Sequence, residues 1–223
     1  MSAIAVQQFT DVLCVWAYAC QVRVDQLIDR EGDAVEVSAH FCNVFGDTGA
    51  LADRWADRGG LAGYAAHVRS VCERFEHVTV HEDAWAVSAP RSSLGAHIFL
   101  AAFRVLEAAE RVEAGAFDAA VWRMRQAFFA EGRNIGLRAV QFEIAEELAV
   151  PVGGIEQCLA DSGAHVAVAG DYDLARKLDV RVSPTLVLNE GRQRLAGNVG
   201  YRIIEANVRE LARAPGADDA SWC

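Results

Sequence analysis

The chain has 223 residues, of which 52% are hydrophobic and 23% charged, with a formal net charge of -10. Such a length and balance describe a soluble globular protein with room for a substantial core, and the acidic excess argues against nucleic acid and anionic membrane surfaces as partners. No apolar run approaches the roughly 18 residues a membrane span needs, and the start MSAIAVQQFTDVLC lacks the basic region of a secretory leader, Arg23 being the first positive side chain.

Six cysteines, at positions 14, 20, 42, 72, 158 and 223, are scattered without paired spacing. Without an export signal this usage predicts reduced thiols and a cytoplasmic location rather than a disulfide framework.

In chain order, AIAVQQFT (residues 3–10) predicts a first strand. A helix follows, with Trp16, Cys20, Val24, Leu27 and Ile28 at helical spacing, Arg30 in its last turn and Gly32 just beyond. AVEVSAHF alternates Val35, Val37, Ala39 and Phe41 with polar neighbours, the pattern of a half-buried strand. The middle reads as mostly helical: GGLAGYAAHVRSVCERF, then an extended HVTVHEDAW, then helices over Ser92–Glu113, Asp118–Glu131, Gln141–Leu148 and Gly154–Asp161. A brief helix is expected over Asp173–Leu178, capped by Asp171 or Asp173. SPTLVLN, a turn at Asn189-Glu190-Gly191 and RQRLAG make a β-hairpin. A last amphipathic helix runs from about Gly200 to Arg213, with Ile204, Val208 and Leu211 on its apolar face. Strands at both ends around a helical middle imply one sheet interrupted by a helical subdomain.

Cys14 stands where the first strand gives way to the first helix, in DVLCVWAYACQ. A helix start offers unpaired N–H groups and the positive end of the dipole, which favour a thiolate, so a depressed pKa and a nucleophilic Cys14 are expected. The competing reading is a small buried core residue. Three residues on, where a redox pair would have its second cysteine, stands Ala17. Cys20, six residues on, lies a helical rise of ~9 Å away, beyond the ~7 Å Cα limit for a disulfide, and reads as core. Cys72 and Cys158 read as packed in the helical middle, and Cys42 follows the second strand.

The run Cys14-Val15-Trp16-Ala17-Tyr18 resembles the Cys-Pro-Trp-Cys-Tyr of the DsbA-like branch of the thioredoxin fold, with CVWA in place of CPWC. YDLARKLDVRVSPTLVLN resembles the segment through that family's proline loop, and AFFAEGRNI and RSSLGAH resemble its helical insertion. The likeness runs from about Val6 to Leu211 and is nearest the cytoplasmic members, which include 2-hydroxychromene-2-carboxylate isomerases and kappa-class glutathione transferases. It implies an α/β thioredoxin-like fold: residues 1–49 and 166–214 as a discontinuous thioredoxin-like domain, 50–165 as the helical insertion and 215–223 as a tail. It also implies a cis Pro184 facing Cys14, with the backbone of Ser183 offered to a bound peptide or glutathione; the sequence by itself leaves an ordinary trans proline open. GNVGYR, Gly197 to Arg202, occupies the place where glutathione-dependent relatives hold the γ-glutamyl end, although the acidic residue of those relatives is not evident here.

The implied function is thiol–disulfide oxidoreductase chemistry by the single thiol of Cys14, through mixed disulfides with glutathione or protein thiols. Trp16, Ala17, Ser183, Pro184, Asn198 and Arg202 are the expected substrate- or glutathione-binding residues. Ala17 cannot resolve a mixed disulfide, so an external thiol must, or else Cys223 in the terminal Ser221-Trp222-Cys223. Glutathione is the one cofactor expected, none is expected to bind tightly, and a homodimer is among the assemblies considered. The alternatives are a glutathione-dependent transferase or isomerase and a redox-silent peptide-binding module. No metal is expected: His77 and His81 on an extended segment would stand ~13 Å apart, and neither C-x-x-C nor H-E-x-x-H occurs.

Overall fold

The structure, a computed structural model, describes residues 3–213. Cys223, the candidate resolving thiol of the tail, lies outside the described residues.

The β-α-β opening forms as the periodicity predicts. β1 (Ile4–Thr10) and β2 (Val35–Phe41) pair in parallel, from Ile4 opposite Val35 to Thr10 opposite Phe41. Between them α1 (Val15–Glu31) ends with Arg30 in its last turn and Gly32 at φ 49°, whose amide returns to the Ile28 carbonyl. Its buried side is not the expected stripe. Ala17, Tyr18, Cys20, Val24 and Leu27 are buried, whereas Trp16 is half-buried and Ile28 exposed. The first turns of α1 enter the core of the helical block while Val24 and Leu27 pack on the sheet, so two different surfaces share one helix.

The middle holds α2 (Thr48–Arg54), α3 (Gly60–Cys72), α4 (Leu94–Ala108), α5 (Ala116–Arg125), α6 (Arg138–Glu147), α7 (Val152–Ala160) and α8 (Gly163–Lys177). α5 runs on into a π-helical turn over Gln126–Ala130, which buries Phe128 and Phe129. Two expectations fail here. HVTVHEDAW forms no strand: His77 bonds its Nε2 to the Ala19 carbonyl at 2.9 Å, and the His81 amide donates to Phe129 O at 2.6 Å. A β-branched run needs a neighbouring strand edge, and this one lies against helices instead. The helix expected over Asp173–Leu178 begins ten residues earlier, at Gly163. Asp171 is therefore no cap but an interior residue of α8, drawn inward by Arg104 and His40.

The hairpin of β3 (Thr185–Leu188) and β4 (Gln193–Ala196) turns at Asn189–Gly191, as expected, and α9 (Tyr201–Arg213) buries Ile204, Val208 and Leu211. The sheet order is β2-β1-β3-β4, with β3 antiparallel to both neighbours. α1 and α9 cover one face, through Val6, Val24, Leu27, Leu186, Ile204 and Leu211. α8 covers the other, where Phe9 and Val187 meet Ala175. The largest apolar cluster lies in the helical block and reaches Cys14.

Candidate active site at the start of the first helix

Four residues turn β1 into α1. The Cys14 amide donates to the Asp11 carbonyl at 3.0 Å, and Cys14 caps the helix in an extended conformation, its own carbonyl accepting from the Tyr18 amide at 3.1 Å. Across from it is the cis Ser183-Pro184 bond. Ser183 joins the two loops twice: its Oγ accepts from the Asp11 amide at 2.9 Å, and its carbonyl accepts from Cys14 Sγ at 3.1 Å. Thus the structure brings Cys14 together with the Ser183-Pro184 loop, the arrangement the resemblance implies, and the Ser183 carbonyl holds the thiol.

The thiol does not titrate as expected. Burial pushes the Cys14 thiol above its ordinary value of 9.0, and the negative Asp11 beside it pushes the same way. The Ser183 bond and the amides of Ala17 and Trp16 pull downward but do not prevail. The helix start is real, yet Cys14 is only 5% exposed and sits in the apolar cluster, where a thiolate loses its hydration. A neutral S–H donating to a carbonyl is the state this geometry stabilises.

Asp11, to which the sequence pattern assigns no role, organises the turn. Its Oδ2 accepts from the amides of Val44 and Phe45 and from Ser93 Oγ, all within 3.0 Å, and its Oδ1 accepts from the Leu13 amide at 3.0 Å. His97 Nε2 stands 3.5 Å from that Oδ1. Burial alone would raise the Asp11 carboxyl, but His97 and these amides hold it below its ordinary value. The Val12 amide nitrogen lies 3.1 Å from the same Nε2 of His97, and the Tyr172 hydroxyl lies 2.8 Å from Nδ1. Cys42 also borders the site: burial, with Asp11 and Cys14 nearby, drives its thiol upward, and Ser183 bonds to it. The only local signal for Asp11 was a carboxylate inside an apolar run; its partners come from distant segments that nothing in the sequence ties to it.

The remaining candidates divide. Trp16 meets Phe75 edge-on with ring centroids 6.2 Å apart, and Ala17 is fully buried. Tyr18 stacks on Phe129 at 5.0 Å and leans on Trp122 at 5.2 Å, anchoring the helix start to the π turn. Asn198 has its side-chain oxygen engaged by Cys20 Sγ at 3.0 Å and by Arg23, and Arg202 is exposed in the first turn of α9. Burial pushes Cys20 up to about 11, in keeping with its reading as core. Among the described residues no group of three histidine, cysteine or acidic side chains gathers to hold a metal ion.

Residues 5–209 match the DSBA-like thioredoxin domain. The chain belongs to this family. No curated protein matches the sequence. Among solved structures, this DSBA-like chain is similar to a probable DsbA oxidoreductase of Streptomyces coelicolor (TM-score 0.72, 17% identity, covering 99% of this chain and 93% of that one). It is also similar to the cytosolic disulfide reductase DsbM of Pseudomonas aeruginosa (TM-score 0.64, 20% identity, 92% and 99% covered), which has also been solved with GSH. The third is a 2-hydroxychromene-2-carboxylate isomerase (TM-score 0.63, 16% identity, 97% and 100% covered). At these identities the likeness fixes the thioredoxin-like fold. No helix among the described residues is long and apolar enough to cross a membrane.

Proposed function

We propose that the protein is a single-cysteine thiol–disulfide oxidoreductase in which Cys14 exchanges with glutathione or protein disulfides. The observation that carries this reading is the 3.1 Å bond from Cys14 Sγ to the carbonyl of Ser183, which aims one thiol at the backbone of the proline loop. In the first step Cys14 S–H meets R–S–S–R; a Cys14–S–S–R bond forms, the substrate disulfide breaks, and the thiol proton leaves with R–SH. A second thiol, glutathione, then attacks the mixed disulfide, regenerates Cys14–SH and departs as the disulfide with R. Ala17 makes that second thiol necessary. Trp16, half-buried and near Cys14 in sequence, and the Ser183-Pro184 loop border the thiol, and Asn198 and Arg202 are assigned to the far end of the substrate. A cytoplasmic setting suits this chemistry: the five described cysteines are all free thiols, and a reducing compartment keeps them so.

One observation favours a second reading, a glutathione-dependent transferase or isomerase. A thiol held neutral by burial is a hydrogen-bond donor, suited to steadying the sulfur of bound glutathione rather than attacking with its own. The two separate in one experiment. Incubation with oxidised glutathione followed by peptide mass spectrometry should give an adduct on Cys14, absent in Cys14→Ser, with thiol exchange lost in that variant. Under the second reading Cys14→Ser keeps conjugation or hydroxychromene isomerisation, because serine also donates. A Cys14 that takes no adduct, in a protein without either activity, would overturn both and leave a redox-silent binding module.

A further inference from the structure

Arg125, at the end of α5, is fully buried, and among the described residues no carboxylate pairs with it. Its guanidinium donates to Gln21 Oε1 at 2.9 Å and to Thr10 Oγ1 at 2.6 Å, and its Nε has no partner. A buried cation facing only neutral acceptors is costly, and it points to an anion as the missing partner. Burial pushes this guanidinium down to about 10, against the weaker upward pull of surrounding acidic groups, Asp11 and Asp25 among them, none of which bonds to it.

Arg125 lines a cavity of about 140 Å³ between β1, α1 and α5, together with Gln8, Gln21, Asp25, Asp118 and Trp122. Gln21 divides the charges. Its Oε1 accepts from Arg125 and, at 3.4 Å, from Gln8 Nε2, while its Nε2 donates to Asp25 Oδ1 at 2.9 Å. A neutral amide therefore spans a buried cation and an exposed carboxylate, oxygen toward one and nitrogen toward the other. From standard bond lengths the O···N span of an amide is about 2.3 Å, and that between the carboxylate and ammonium of an α-amino acid is about 2.7 Å. The charged version of the same dipole has nearly the same size.

We propose that this cavity binds a small free α-amino acid, its carboxylate replacing Gln21 Oε1 on Arg125 and Gln8 and its ammonium facing Asp25 and Asp118. The Gln21 side chain, long and part-exposed on α1, swings out to admit it. Trp122 supplies an apolar wall for a short side chain, and the cavity volume limits that side chain to a few atoms. The two carboxylates on the rim exclude simple anions, which lack the ammonium to satisfy them. The proposal is independent of the thiol reading, since neither Cys14 nor Pro184 lines the cavity.

Calorimetric titration of the full chain at constant ionic strength with L-alanine, glycine, acetate, ethylamine and β-alanine tests it. L-alanine and glycine should bind saturably, acetate and ethylamine should not, and β-alanine, with its charges further apart, should bind more weakly. Gln21→Ala removes the internal competitor and should tighten L-alanine several-fold. Arg125 variants risk misfolding, so the rim carries the charge test: Asp25→Asn should weaken L-alanine about ten-fold. No saturable binding of either amino acid by wild type or Gln21→Ala up to about 50 mM, acetate binding as well as L-alanine, or unchanged affinity in Asp25→Asn would each overturn the proposal.

Discussion

At the scale of single residues, the contest at Cys14 is between a helix start and a core. The amides of Trp16 and Ala17 act over one turn, but the apolar cluster surrounds the sulfur, and the fixed charge of Asp11 lies on the unfavourable side of the balance. The thiol is therefore expected to titrate above 9.0. A thiolate absorbance titration of wild type minus Cys14→Ala should give a difference curve with its midpoint beyond that value. Because the folded thiol is harder to ionise than the unfolded one, its contribution to stability is complete below the unfolded value of about 8.5 and declines as pH rises through the folded one. Wild type should accordingly lose more stability than Cys14→Ala between neutral and alkaline pH. A difference midpoint below about 8 would mean that the helix amides outweigh burial.

At the scale of elements, what was legible followed from local pattern. The alternation Val35-Val37-Ala39-Phe41 and the Asn189-Glu190-Gly191 turn each carry their own signal, and β2 and the hairpin formed where they indicated. The Cys14 helix start and the Ser183-Pro184 loop were legible because their motifs are short and ordered along the chain. What stayed hidden is held by non-local chemistry. The pattern HVTVH is strand-like, but its histidines bond to Ala19 of α1 and Phe129 of the π turn; Asp171 has the form of a cap, but its partners sit on β2 and α4. Asp11 and His97 are far apart in sequence and meet only after folding. The start of α1 permits a further test. Positions 14 and 17 are three apart across the first turn of α1, where helix geometry sets Cα atoms about 5 Å apart, within the Cα range a disulfide spans. Ala17→Cys should form an internal disulfide on mild oxidation, counted as two thiols lost under denaturing conditions and accompanied by a gain in insulin reduction. Retention of both thiols would show that the buried Ala17 site cannot admit the second sulfur.

At the scale of the whole molecule, the sheet and the helical block must be held in one arrangement, because the site takes Cys14 from their junction and Ser183 from the loop that leads into β3, the strand beside β1. Asp171 is the clearest fastening. On α8, it accepts a two-point bond from Arg104 of α4 at 2.8 and 3.2 Å, a bond from the Phe41 amide of β2 at 3.0 Å, and faces His40 Nδ1 at 2.9 Å. Arg104 also donates to the Ala39 carbonyl at 3.0 Å and lies over the Phe41 and Phe117 rings, so one ion pair ties β2, α4, α5 and α8. Burial alone would raise the Asp171 carboxyl; the His40 and Arg104 bonds outweigh it and hold it below its ordinary value of 3.8. A carboxyl depressed in the folded state gives stability that is present above the unfolded pKa and lost as pH falls through the folded one. Removing it strands a partly buried guanidinium and a strand-end amide, a change that costs about 3–5 kcal/mol when a buried pair is broken. Urea unfolding of Asp171→Ala at neutral pH should show a loss of that order. Part of the acid-induced loss that wild type suffers below about pH 4 should be missing from the variant, because it no longer has this proton to take up. A variant as stable as wild type, with the same acid limb, would mean that the sheet and the helical block are joined by apolar packing alone.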